Sequence, residues 1–226
     1  MFILKISVVI PTMNEEESIG EVLDSIIEAL GPSEFDFEMM IVDTNSKDRT
    51  REIAGSKGAR IIDEPRRGYG RAYKTGFENA GGDIIATLDA DCTYPAEDIP
   101  ALARTLLSEN LDFITTNRFA RPEEGAMSSS HRFGNNMLTF TLNLLFGIGI
   151  KDSQSGMWVF RKSSLENLDL TDDGMPLSEE IKIEAFRKVK AREMPITYRK
   201  RKGEVKLSSW KDGRKNFAFL WKKRFS

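Results

Sequence analysis

Cysteine and histidine are nearly absent: the 226 residues contain one of each, Cys92 and His131. A lone cysteine excludes an intramolecular disulfide framework and a multi-cysteine zinc site, and it fits a reducing compartment. A lone histidine excludes a histidine-rich metal centre. One Cys–His pair could still serve as a nucleophile, but Cys92 reads as a packing or spacer residue beside two aspartates, and His131 as a capping or surface residue. Long apolar runs are missing as well. No stretch reaches the roughly 18 residues that a membrane-crossing helix needs. The first ten residues carry one lysine and run straight into a strand-like segment, without the pattern of a cleaved leader. Met137–Ile150 is the most apolar segment, interrupted by Thr139, Thr141, Asn143, Gly147 and Gly149. It is too short to span a bilayer and long enough to lie in its interface.

A net charge of one sign is also lacking, since 33 Lys and Arg face 35 Asp and Glu. The balance is local rather than uniform. From Lys182 onward sixteen basic residues stand against four acidic ones, so a basic tail follows an acidic body. Such a tail suits an anionic partner or a solvated surface. An acidic body would repel a polyanion, which argues against nucleic acid as that partner.

Strand and helix signals alternate through the first half. Ile3–Ile10, Phe37–Val42, Ala59–Ile62, Asp83–Leu88 and Leu111–Thr116 read as strands, with amphipathic helices between them. Asn14 is placed to cap the first helix, ahead of Glu15-Glu16-Glu17. This rhythm predicts an α/β fold with a doubly wound, mostly parallel sheet in a single domain. The alternation covers residues 1–117, and 118–226 make a second half ending in helical, basic elements. Arg118–Arg132 reads as a mobile loop. After it come the apolar helix, a strand at Met157–Phe160, a helix near Ser178–Lys190, a strand near Pro195–Arg199 and a basic terminal helix.

Ligands of open α/β sheets bind beyond the carboxyl ends of the strands, where strand order reverses. Asp89-Ala90-Asp91 follows the apolar run Ile84–Leu88. Two carboxylates so close repel unless a cation sits between them, and hard oxygen ligands suit Mg²⁺ or Mn²⁺. A polar turn capping the next helix is the plainer alternative. Asp43 follows Met40-Ile41-Val42 and can accept N–H groups from a nucleobase or, alternatively, cap a helix. Arg66-Arg67-Gly68-Tyr69-Gly70-Arg71 places glycines and cations at a helix start, as a phosphate site would.

Taken in order, Val8–Glu15, Val42-Asp43 with Ser46-x-Asp48-x-Thr50, Gly68-x-Gly70 and Leu88–Asp91 resemble family 2 glycosyltransferases of the GT-A fold. Thr93-Tyr94-Pro95, Asn117-Arg118-Phe119, Arg132-Phe133-Gly134-Asn135, Asp152-x-x-Ser155-Gly156 and Pro195–Arg199 are similar to the narrower polyprenyl- or dolichyl-phosphate sugar synthases of archaeal type. The resemblance implies a nucleotide-binding role for Pro11, Asn14, Glu15 and Asp43, and a metal and diphosphate role for Asp89 and Asp91. It also implies acceptor-side positions for Arg118 and Arg132, and a phosphate contact for Lys206, with Arg67 and Gly68 as further donor contacts. Three departures stand out. Thr93 replaces a glutamine that serves related mannosyl synthases as a third metal contact, Val205-Lys206 replaces a Ser-Lys pair, and the Gln-x-x-Arg-Trp signature of processive synthases is absent.

The implied reaction moves one sugar, a hexose or N-acetylglucosamine, with inversion. The donor is a nucleotide-diphosphate sugar, UDP-linked by preference and GDP-linked as the alternative. The acceptor is dolichyl or polyprenyl phosphate, and the context N-glycan assembly. The cofactor would be Mg²⁺ or Mn²⁺. The enzyme would sit in the cytoplasm, peripheral on the inner face of an anionic membrane; a homo-oligomer is left open. A phosphate nucleophile needs little base catalysis, whereas a sugar hydroxyl needs a base, for which Asp152, Glu179 and Glu180 are the candidates. A nucleotidyltransferase is disfavoured because Pro11–Glu15 is acidic where such enzymes carry a basic, glycine-rich loop.

Overall fold

The computed structural model describes residues 3–203 and 209–225, without the side chains of 209–212. Lys206 and Val205, and the side chain of Trp210, therefore lie outside the described residues. β1 (Lys5–Thr12) is the central strand of the first half, flanked by β2 (Asp36–Asp43) and β4 (Ile84–Thr87), with β3 (Arg60–Asp63) at the edge. All three pairings are parallel. β1 is buried on both sides: Ile6, Val8 and Ile10 face one hydrophobic layer and Val9 the other. Two-sided burial is what its unbroken β-branched run demands.

On the first face lie α1 (Ile19–Leu30), α2 (Thr50–Ser56) and α4 (Ile99–Ser108). α1 docks through Ile19, Val22, Leu23, Ile26 and Leu30, a helical spacing of apolar residues. On the second face lie α3 (Tyr69–Asn79) and α6 (Leu177–Lys188). α3 approaches β1 so closely that a Cβ on Gly76 would stand 2.3 Å from Val9 Cγ1.

β6 (Trp158–Arg161) enters antiparallel between β4 and β5 (Phe113–Pro122), and β7 (Ala191–Tyr198) closes the edge beside β5. The seven-stranded order is β3-β2-β1-β4-β6-β5-β7. The mostly parallel expectation holds, and the antiparallel insertion marks where the alternating rhythm breaks. Strand order reverses at β1/β4, which places the crevice at the ends of β1, β2 and β4.

Three expectations change. The loop foreseen at 118–132 is strand as far as Pro122, because β7 supplies partners at Arg121 and Pro122. The apolar helix runs from Ser129 to Phe146 as α5, beginning at a Ser128 cap that accepts His131 N–H and ending at left-handed Gly147. Asn14 does not cap α1. It adopts φ 56° and its side chain accepts the Lys47 N–H at 2.7 Å, while the helix starts at Ile19. α7 (Ser209–Phe225) packs against α5, with Leu220 in a small core beside Leu138, Leu142 and Ile183.

Candidate active site

The loops after β1 and β2 are laced together. Asn14 N–H donates to Ser46 Oγ at 2.9 Å, Glu15 N–H to Thr50 Oγ1 at 2.7 Å and Glu16 N–H to Asp48 Oδ2 at 3.1 Å. The spacing Ser46-x-Asp48-x-Thr50 is thus an internal brace that holds the Asn14-Glu15 turn beside Asp43. Asp43 is buried at the end of β2. It accepts from Thr12 Oγ1 (3.1 Å), Ser46 Oγ (2.5 Å) and Ser46 N–H (3.1 Å), and pairs with Arg51 at 3.1 Å. Asp43 thus fixes its own turn at the strand-end crevice and does not cap α2, which begins at Thr50.

Asp89 and Asp91 stand just past β4. The Tyr73 hydroxyl donates to Asp89 Oδ1 at 3.3 Å. Burial first, and the Asp91 charge second, push the Asp89 carboxyl up to about 7. Asp91 is buried, and its Oδ1 accepts both the backbone N–H and the hydroxyl of Thr93, at 3.1 and 2.6 Å. Thr93 thus orients Asp91. The other oxygen, Oδ2, pairs with Arg201 Nη2 at 2.7 Å. A hard divalent cation fits this donor set: two neighbouring carboxylates, one pushed up by burial and by its neighbour's charge, that a positive ion would relieve. Among the described residues no third acidic, histidine or cysteine side chain joins them. Such a cation would take its remaining ligands from solvent and the diphosphate, as Mg²⁺ does in phosphate-binding sites.

On the far side of Asp89 the Asp152–Ser155 loop carries a buried ion pair. Asp152 accepts Arg118 Nε and Nη2 at 2.8 and 2.9 Å, and also the Arg118 N–H at 3.0 Å. Burial opposes the Asp152 charge, but Arg118 outweighs it and holds the carboxyl below its ordinary range. The guanidinium lies 5.3 Å from the Tyr198 ring and 5.9 Å from the Phe119 ring, and the Arg132 guanidinium lies 5.7 Å from the same Phe119 ring. One aromatic ring therefore brings Arg118 and Arg132 together. Beneath the loop, fully buried Lys182 donates to Ser153 O and Ser155 O at 2.6 and 2.7 Å. Burial pulls its ammonium down to about 7.

The other two base candidates differ from each other. Glu180 accepts Thr171 N–H and hydroxyl, Asp172 N–H and Lys223 Nζ, all within 3.0 Å. Glu179 is buried with Gln154 as its donor, and burial pushes its carboxyl up to about 8.

The glycine-rich helix start is closed by the chain itself. Gly70 and Arg71 donate their N–H groups to Gly174 O and Asp173 O, and a Cβ on Gly68 would meet Asp173 O at 2.3 Å. Buried Glu64 engages Arg66 and Arg71. Arg67 is exposed and makes no ion pair among the described residues. Gly68 thus serves packing, and the N–H groups foreseen as a phosphate cradle are occupied. Sequence reasoning passed over Arg201, Tyr73 and Lys182. Only Lys182 left a trace there, as a charge set between Ile181 and Ile183.

A glycosyl transferase family 2 model matches residues 7–169, a span holding both strand-end aspartate sites and the Arg118–Asp152 pair. The chain belongs to glycosyltransferase family 2. A low-salt glycan biosynthesis hexosyltransferase of Haloferax volcanii is 38% identical, over 95% of this chain and 52% of that protein. A dolichyl-phosphate hexose transferase of the same organism is 34% identical, over 92% and 89%. A dolichol-phosphate mannosyltransferase of Pyrococcus furiosus is 29% identical, over 96% and 62%. The chain thus spans about half the length of the first of these relatives. Glucosyl-3-phosphoglycerate synthase of Mycobacterium tuberculosis, solved with Mn²⁺, UDP and phosphoglyceric acid, superposes with TM-score 0.78 at 21% identity, over 98% of this chain and 79% of that one. That likeness establishes the shared mixed α/β glycosyltransferase fold.

Proposed function

We propose that this family 2 glycosyltransferase moves one sugar, with inversion, from a nucleotide-diphosphate sugar to the phosphate of a dolichyl or polyprenyl lipid. The observation that carries the reading is the Arg118–Asp152 pair. The acceptor side presents a guanidinium whose carboxylate partner is locked by three hydrogen bonds. Glu180 is saturated, and Glu179 is fully buried behind Gln154, with its carboxyl pushed up to about 8. A hydroxyl nucleophile would lack a base there. A phosphate oxygen is already anionic and needs only to be held, which Arg118 and Arg132 beside Phe119 can do. Two relatives whose names specify dolichyl or dolichol phosphate support the same acceptor.

Asp89 and Asp91 would hold Mg²⁺ or Mn²⁺, which when bound neutralises charge on the leaving diphosphate. Asp43, Pro11, Asn14 and Glu15 would seat the nucleotide, with Arg67 and Lys206 as outlying cations. Structural likeness to an enzyme solved with UDP favours a UDP-sugar; the mannosyltransferase relative makes a GDP-sugar the alternative. With the acceptor in place, Arg118 orients the attacking oxygen and the buried loop excludes water, so catalysis rests on position and charge.

The acceptor lies in a membrane, and α5 and α7 supply a surface for it. Phe133, Met137, Phe140 and Leu144 form an exposed apolar stripe on α5, and Phe217, Trp221 and Phe225 one on α7. Lys222 and Arg224 flank the second stripe. Among the described residues no helix is long and apolar enough to cross a membrane. Peripheral contact with an anionic inner face fits these features.

A panel of UDP- and GDP-sugars with dolichyl phosphate and Mn²⁺ or Mg²⁺, read as sugar transferred to lipid, tests the proposal. Transfer from one donor class supports it. Hydrolysis alone, or transfer only to sugar hydroxyls, contradicts it.

A further inference from the structure

The chain that follows β7 crosses the aspartate motif and is fastened to it at both ends. Arg199 N–H donates to Thr93 O at 3.0 Å, and Lys202 N–H to Asp91 O at 2.9 Å. Arg199 pairs with Glu97, and Lys202 with Glu21. Gly203, with φ +80°, lies beside Glu15 and Glu17. Between these fastenings Arg201 reaches inward to Asp91 Oδ2 at 2.7 Å. That oxygen is the one Asp91 has left, because Oδ1 is taken by Thr93. The pair is partly shielded, with the Arg201 side chain 31% and the Asp91 side chain 4% exposed.

Resting on the reading of Asp89 and Asp91 as the cation pair, we propose that Arg201 is a built-in placeholder for the divalent cation. Its guanidinium and the metal compete for the same Asp91 oxygen. The positive charge stabilises the buried carboxylate in the nucleotide-free enzyme, and the cation must displace it. A ligand that binds only the displaced state has its apparent affinity lowered by the fraction of protein in that state. The metal alone therefore binds weakly, and it binds well only with a nucleotide diphosphate that brings further ligands. Cation and donor arrive as a unit, and the site is not filled by free metal.

The test is Mn²⁺ binding to nucleotide-free protein, read by electron paramagnetic resonance of the free ion, for wild type and four variants. Arg201→Ala and the length-preserving Arg201→Gln should each tighten Mn²⁺ about tenfold, the size of a typical coupling between two ligands. Arg199→Ala, which removes the neighbouring fastening to Glu97 and leaves Asp91 untouched, should not change it. Asp91→Ala should abolish it. Unchanged affinity in both Arg201 variants, with Asp91→Ala silent, overturns the placeholder and leaves the metal assignment standing. Equal tightening by Arg199→Ala overturns it too, since segment release and not the guanidinium would then be the cause. Undiminished binding by Asp91→Ala would remove the metal assignment and the placeholder together.

Discussion

At the residue scale, the same carboxylates divide into working groups and braces. Asp152 was a candidate base on its chemistry; its partners make it a clamp. Replacing it by Asn leaves Arg118 charged, buried and half-partnered, so Asp152→Asn should cost about 3–5 kcal/mol in stability by denaturant titration. Its residual activity should keep the acidic limb of the wild-type pH–rate profile, the limb that a general base would set. Asp91→Ala should reduce metal-dependent turnover roughly 100-fold or more, because the developing diphosphate charge loses its counter-ion; full activity in chelator would contradict that. Glu179 gives a pH signature. Its carboxyl ordinarily titrates near 4.5 and in the folded protein near 8, so the native state holds a proton that the unfolded chain has lost. Stability from this group is greatest at low pH and falls as pH rises between those values. Glu179→Gln lacks this slope, so its melting temperature relative to wild type should rise from pH 5 to pH 8 and then level off. A parallel pair of melting curves would contradict the burial argument. Asp89, Asp91 and Asp43 were legible in the sequence because they follow unbroken apolar strands. Arg201 was not, since one arginine among Arg199-Lys200-Arg201-Lys202 carries no local mark of which reaches inward.

At the element scale, legibility followed burial. The β1, β2 and β4 runs and the α1 periodicity are dictated by two-sided packing, and sequence pattern finds them within a residue or two. The segment after Asn117 is governed by a partner far along the chain: β5 extends to Pro122 only because β7 lies beside it. No local pattern encodes that pairing. The glycines around the start of α3 also answer to distant partners. Gly68 and Gly70 looked like part of a phosphate site, but the 172–174 loop presses on them, and β1 presses on Gly76. Gly76→Ala should therefore destabilise the fold by about 1–3 kcal/mol through overpacking against Val9. A neutral effect in thermal unfolding would mean that α3 can shift without cost.

At the scale of the whole molecule, the near-zero net charge conceals a division of labour. On the proposed reading the acidic strand-end crevice would take a cation and a nucleotide, while the basic terminal helix sits beside exposed aromatic residues. Not every tail cation faces outward: Lys223 turns in to Glu180 and Glu184 at 3.0 and 2.8 Å. The docking surface we propose is therefore the outer face of α5 and α7. Phe140→Glu with Trp221→Glu should weaken cosedimentation with anionic vesicles while leaving nucleotide affinity unchanged. The central claim remains that the nucleophile is a lipid phosphate held by arginines, with no catalytic base. The most direct measurement compares dolichyl phosphate with dolichol as acceptor, using the same donor and metal. Sugar should pass to dolichyl phosphate and not to the alcohol. Transfer to dolichol at a comparable rate, or none to dolichyl phosphate with any donor, would contradict the account.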